Sequence, residues 1–115
     1  MVGDTQLFVG ESPVDDRAQI GLLMDSFREQ NNNAIKVLFA TGGRPGIHVA
    51  VTDDLISTGV RAGDLVKRLA AVSGGKGGGR PHFASAGVGD IGKVPAVRER
   101  TPEIVRGLLM EIQAD

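Results

Sequence analysis

The run Ser73-Gly74-Gly75-Lys76-Gly77-Gly78-Gly79-Arg80-Pro81 sets two cations among five glycines. Glycine costs folding entropy, so such a run persists where the backbone needs unusual dihedrals or close approach to another group. Amide N–H groups left open by the glycines, with Lys76 and Arg80 beside them, would form a concave electropositive surface suited to a phosphate. The competing reading is a flexible linker. Linkers are usually Gly/Ser-rich without interspersed cations and an X-Pro stop, so the anion-contacting loop is favoured. His82 follows directly and either donates to phosphate or ribose or caps local backbone.

Other chemistries find less support. Walker A requires Gly-x-x-x-x-Gly-Lys-Ser/Thr at the start of a helix, whereas here Gly77 follows Lys76 and a helical pattern precedes the run. A dinucleotide fingerprint fails on the same context. His48 and His82 stand 34 positions apart without clustered acids, a poor basis for a metal site. His48 falls on the strand face opposite Ile47, Val49 and Val51, where a partly exposed structural histidine is expected. Asp53-Asp54 reads as a capped strand-end turn, and Ser57, Ser73 and Ser85 lack a nucleophile-elbow pattern. Cysteine is absent, which removes disulfides, thiol catalysis and Cys-based zinc sites and fits a reducing cytosol. No catalytic residue and no metal ligand are assigned.

The elements that must hold this run are legible from periodicity. Thr5–Val9 reads as a strand. Ser12-Pro13-Val14-Asp15 then offers a helix cap, a first-turn proline and a capping-box carboxylate. Ile20, Leu23, Met24 and Phe27 form one helical face, ended by Asn31-Asn32-Asn33. Ala34–Ala40 and Ile47–Thr52 flank the turn Thr41-Gly42-Gly43-Arg44-Pro45-Gly46, predicting an antiparallel hairpin. Asp53, Asp54 and Gly59 mark a loop. A helix is expected over Arg61–Ser73 with Gly74 ending it, so the glycine run leaves a helix C-terminus, whose partial negative charge repels phosphate. Side chains and loop amides must supply any attraction. Residues 81–89 suggest a short buried strand or a tight packing segment, and Thr101-Pro102 the start of a last helix, with Val94–Val97 adding a preceding turn.

The order strand–helix–strand–strand–helix–(strand)–helix predicts an α/β fold, a small mixed β-sheet with packed helices, and residues 1–115 as one domain. Phe8, Phe27 and Phe39 fall on predicted core faces. Phe83 is the one candidate for stacking, although burial under the glycine loop is the stronger expectation. No apolar run approaches about eighteen residues, so no membrane partner is expected. The net charge is −1 over 115 residues, yet residues 61–82 hold five bases (Arg61, Lys67, Arg68, Lys76, Arg80) against Asp64. Residues 1–30 hold six acids against two bases. A nearly neutral molecule can thus present one basic end to a polyanion.

Arg61-Ala62-Gly63-Asp64-Leu65-Val66, Gly74 to Pro81 and Ala84-Ser85-Ala86-Gly87 resemble the C-terminal globular domain of alanyl-tRNA synthetases, within the wider DHH-associated family. The resemblance spans nearly the whole chain. It departs at His82, where the family usually has an acid, at Ser85, commonly Gln, and at Val88-Gly89, which replace a second adjacent glycine. It implies a non-catalytic domain of a longer cytoplasmic enzyme, binding the elbow of the alanine tRNA and supporting aminoacylation and editing by upstream domains. Homodimerisation is possible, with Ile104 beside the Val105–Leu109–Ile112 stripe as the candidate surface. It implies no cofactor here, since ATP and zinc would belong to upstream domains. The candidate contacts are Gly74, Gly75, Lys76, Gly77, Gly78, Gly79, Arg80 and His82, joined by Lys67, Arg68 and Arg61. A second reading is the nucleotide-binding half of a DHH-type phosphoesterase; a stand-alone paralogue is a further alternative.

Overall fold

A computed structural model describes residues 2–13, 16–42 and 45–113. The elements are β1 (Gln6–Ser12), α1 (Arg17–Gln30), β2 (Ala34–Ala40), β3 (Gly46–Val51), α2 (Asp53–Thr58), α3 (Ala62–Ser73), β4 (Gly77–Gly79), β5 (Phe83–Gly87) and α4 (Val94–Gln113), with a 3-10 turn at Ile91–Lys93. One mixed sheet runs in the order β1-β2-β3-β5-β4. Only β1 and β2 are parallel, joined through α1; the remaining neighbours are antiparallel.

Alternation along β2 and β3 sorts side chains to two faces. Ile35, Val37, Phe39, Ile47, Val49 and Val51 enter the main core under α3 and α4. Ala34, Leu38, Ala40 and Ala50 meet Ile20, Met24 and Phe27 of α1 on the other side. Central strands buried on both faces read as nearly continuous apolar runs, which explains AIKVLFA. Lys36 interrupts it by laying its ammonium 5.9 Å from the Phe27 ring centroid. Phe8, expected in the core, is 41% exposed and meets Phe27 edge-on at the sheet margin.

Several boundaries differ from expectation, each for a physical reason. Asp16 caps α1 in place of Ser12: its carboxylate accepts from the N–H of Ala18 (2.9 Å) and Gln19 (3.3 Å). Ser12 instead closes β1, opposite Ala40. Val14 and Asp15, with the capping-box carboxylate, and Gly43 and Arg44 of the turn lie outside the described residues. Asp53 and Asp54 open a helix, α2, rather than a loop; Leu55 is its buried residue and Gly59 its left-handed end. The Thr52 hydroxyl donates to Asp54 (2.6 Å) and holds that carboxyl below the usual range, helped by the Asn33 N–H.

α4 begins at Val94, so Thr101 and Pro102 sit inside the helix rather than at its start. An interior proline costs about 3 kcal/mol. Val94 and Val97 are both buried, and each buried valine returns about 1.5–3 kcal/mol, enough to carry the helix through. The Thr101 hydroxyl, itself buried, donates to the Val97 carbonyl at 2.9 Å.

Candidate nucleic-acid interface

α3 ends as expected at Gly74, whose φ of 75° is the left-handed region that glycine enters freely. The chain beyond it forms β4, an edge strand paired with β5, where an open loop was expected. The glycines are needed here for close approach: a Cβ on Gly77 would overlap Ala86 of β5. Gly87 N–H donates to the Lys76 carbonyl and Arg80 N–H to the Phe83 carbonyl, both at 3.0 Å. With Gly78 opposite Ser85, antiparallel alternation turns the amides of Gly77 and Gly79 away from β5. Lys76 and Arg80 bracket this three-residue edge, and both are exposed.

The segment after Arg80 is fixed through its backbone. The Pro81 carbonyl accepts from Ala62 N–H at the start of α3 (2.9 Å), and the His82 carbonyl from Val51 N–H (3.1 Å). Arg61, exposed at the N-cap of α3, therefore lies beside this segment. The Lys67 side chain passes Gly78, its Cε 3.3 Å from where a Cβ would stand there. Arg68 goes elsewhere. Its guanidinium forms a two-pronged pair with Glu111 of α4 (2.5 and 2.9 Å), and that hydrogen bonding holds the Glu111 carboxyl below its ordinary range. Lys67 and Arg68 are consecutive, and a single helical step turns the side chain about 100° around the axis. Among the described residues, the ion pairs are Arg28–Asp53, Arg68–Glu111, Arg98–Glu11 and Arg100–Glu103. Arg61, Lys67, Lys76 and Arg80 take part in none of them.

α1 packs mainly against β2 and β3, touching β1 through Phe8–Phe27 and β5 through Phe83, so on its side most of β5 and β4 is left open. Two adjoining hollows occupy that space, of about 380 and 520 Å³. Arg80, His82 and Phe83 line the first and Lys76 and Pro45 the second. Arg17, His48 and Ser85 line both and form the shared floor and wall. Phe83 is half-buried, its ring packed against the α1 side of the sheet rather than beneath the glycine run.

Periodicity did not single out Arg17, His48 or Ser85 for this site. Their signal was present but mute: each strand carries one polar residue on its otherwise small or apolar rear face. Only the register His48↔Ser85 brings them together. His48 is 8% exposed, more buried than expected, with Nδ1 2.7 Å from the Ser85 hydroxyl and its ring tilted against Phe83. Burial, and secondarily the charge of Arg17, push its pKa below 6.5, so the ring is neutral near pH 7. The pair has no carboxylate hydrogen-bonded to it among the described residues, unlike a nucleophilic triad. No cluster of three metal-ligating side chains occurs among the described residues, and no helix there is long and apolar enough to cross a membrane. The arrangement offers cationic walls and a neutral polar floor.

Residues 4–107 match the DHHA1 domain family. The alanine–tRNA ligase of Fusobacterium nucleatum is 35% identical over 95% of this chain, and that of Geobacillus thermodenitrificans 39% identical over 81%. The chain spans only 12% and 11% of those two proteins. In structure it is similar to the C-Ala domain of Aquifex aeolicus alanyl-tRNA synthetase, with a TM-score of 0.75, 24% identity, and coverage of 93% of this chain and 96% of that one. A DHH domain from the s1p family of ribosomal proteins is more distant, with a TM-score of 0.53 and 26% identity over 75% of this chain and 20% of that one. The mixed five-stranded sheet, the helices on its two faces and the match over nearly all its length place this chain in the DHHA1 domain family, of the kind found in alanine–tRNA ligases.

Proposed function

We propose that this domain binds tRNA, and alanine tRNA in particular, as a non-catalytic part of an alanine–tRNA ligase. The observation that carries the reading is a rim of exposed cations outside any described ion pair on a molecule of net charge −1: Lys76 and Arg80 line the two hollows, and Lys67, beside Gly78, and Arg61, beside Pro81, flank them. Cations on the rim contact phosphates and give affinity and orientation without reading sequence. The outward amides of Gly77 and Gly79 add donors between them. The elbow of tRNA, where two loops converge, offers a compact set of phosphates and ribose hydroxyls to such a groove. Held there, the tRNA would be presented to aminoacylation and editing domains of the same chain, in the cytoplasm where translation runs.

The test is a filter-binding titration with alanine tRNA and an unrelated tRNA at two salt concentrations. Affinity should fall steeply with salt. Lys76→Ala and Arg80→Ala should each weaken binding and lower the salt slope by about one, with the melting temperature near wild type. Undiminished binding by the folded double variant would remove the rim from the site.

A second reading, the nucleotide-binding half of a DHH-type phosphoesterase, is favoured by the DHH-domain neighbour and by the smaller hollow beside His82 and Phe83. A mononucleotide that binds as tightly as tRNA would decide for it. For self-association, α4 offers Met110, 63% exposed, whereas Ile104 packs against the core.

A further inference from the structure

We propose that His48 and Ser85 form a ribose-reading pair on the groove floor, engaging a 2′-hydroxyl and setting the preference of this domain for RNA over DNA. The inference rests on the nucleic-acid reading above and adds to it what the rim cannot supply. Phosphates are common to RNA and DNA, so cationic contacts favour neither. Between the walls, the polar groups shared by the two hollows are Arg17 and this neutral pair.

The chemistry of the pair matches a hydroxyl. The hydrogen bond between Nδ1 and the Ser85 hydroxyl, 2.7 Å long, leaves Nε2 and the remaining capacity of the serine oxygen. If serine donates to Nδ1, then Nε2–H remains a donor and the oxygen an acceptor. If Nδ1–H donates to serine, then Nε2 accepts and the hydroxyl donates. In either tautomer an incoming group meets one donor and one acceptor, the complement of a 2′-OH, which is itself both. A phosphate oxygen only accepts and gains no such match. The imidazole stays neutral near pH 7 through burial and the Arg17 charge, which preserves this amphoteric character. No buried side-chain nitrogen or oxygen lacks a partner among the described residues, so Nε2, which Ser85 does not engage, retains an opening to the groove.

Position agrees with the chemistry. In the β4–β5 ladder Lys76 lies opposite Gly87 and Arg80 opposite Phe83, with Gly78 and Ser85 midway. A backbone whose phosphates sit on the two cations carries its sugars over the midpoint. His48, the cross-strand partner of Ser85, extends the contact one strand inward.

The experiment compares fluorescence anisotropy titrations of alanine tRNA with DNA of the same sequence, using wild type, Ser85→Ala, His48→Gln and Lys76→Ala. Wild type should prefer RNA. Ser85→Ala and His48→Gln should weaken RNA binding about fivefold and leave DNA binding unchanged, one hydrogen bond being worth about 1 kcal/mol. Lys76→Ala should weaken both nucleic acids alike. A second measurement needs no folded variant: alanine tRNAs with single 2′-deoxy substitutions in the elbow, titrated against wild type, should show the same loss at one or two positions. A flat 2′-deoxy series, or an RNA/DNA ratio unchanged in the two floor variants, overturns the ribose assignment while leaving the rim in place. Failure of wild type to bind either nucleic acid overturns the underlying reading as well.

Discussion

Neutral His48 on the groove floor links folding to pH. Its pKa in the folded domain lies below the ordinary value of 6.5, through burial first and the Arg17 charge second. The unfolded chain therefore takes up this proton before the folded one does. Whatever stability the neutral ring supports is complete above pH 6.5 and is lost as pH falls through the window beneath it. A series of melting temperatures should decline as pH drops from about 7 towards 5. In His48→Gln that decline should be shallower, since the carboxylates that titrate further down remain; an identical slope would assign the decline to them. Arg68 makes a contrasting residue-scale case. Its charge lies in the basic stretch 61–82, but Glu111 has already claimed it. Arg68→Ala should leave RNA affinity and its salt slope unchanged in the titrations that separate Lys76 and Arg80, and lower the melting temperature slightly. A slope reduced by about one would return Arg68 to the interface.

β4 depends on having no side chains. Gly77 lies so near Ala86 that even a methyl group has no room, and the neighbour is backbone as well as side chain. Gly77→Val should detach the strand or strain it, at about 1–3 kcal/mol, readable as a lower urea midpoint. Because β4 is bracketed by Lys76 and Arg80, two cations of the rim, RNA affinity should fall in the same variant; retention of full stability would show that the strand can shift without loss. The sequence pattern foretold β2, β3 and α3 closely, since each has an apolar pattern of the right period and a recognisable end; it gave the apolar face of α1 but not its start, which Asp16 rather than Ser12 caps. It misjudged β4 because glycine carries no strand signal: three glycines look the same in a bend and in a ladder. It misplaced the start of α4 because Thr-Pro is a common opening for a helix, and only tertiary burial of Val94 and Val97 explains the helix before it. Arg17 and the His48–Ser85 pair were invisible for another reason. Their meeting depends on strand register and on how far α1 reaches across the sheet.

On the scale of the molecule, the two faces of the sheet have different duties. α3 and α4 close one face with the larger core, while α1 covers mainly the β2–β3 part of the other. The β5–β4 sector becomes the groove, and the cations that line it come from the two ends of β4, Lys76 and Arg80, and from α1, Arg17. Acids outnumber bases elsewhere, notably in residues 1–30, so the overall charge of −1 conceals an oriented molecule. A polyanion approaching it is steered to the basic end, and added salt should slow association as well as weaken equilibrium binding. The clamp of Pro81 and His82 has a further meaning. Both residues anchor the fold by main-chain carbonyls, to Ala62 and Val51, so the shape of this corner owes little to which side chains it bears. Evolution can therefore exchange the residues displayed there, and with them the choice of guest, on an unaltered scaffold.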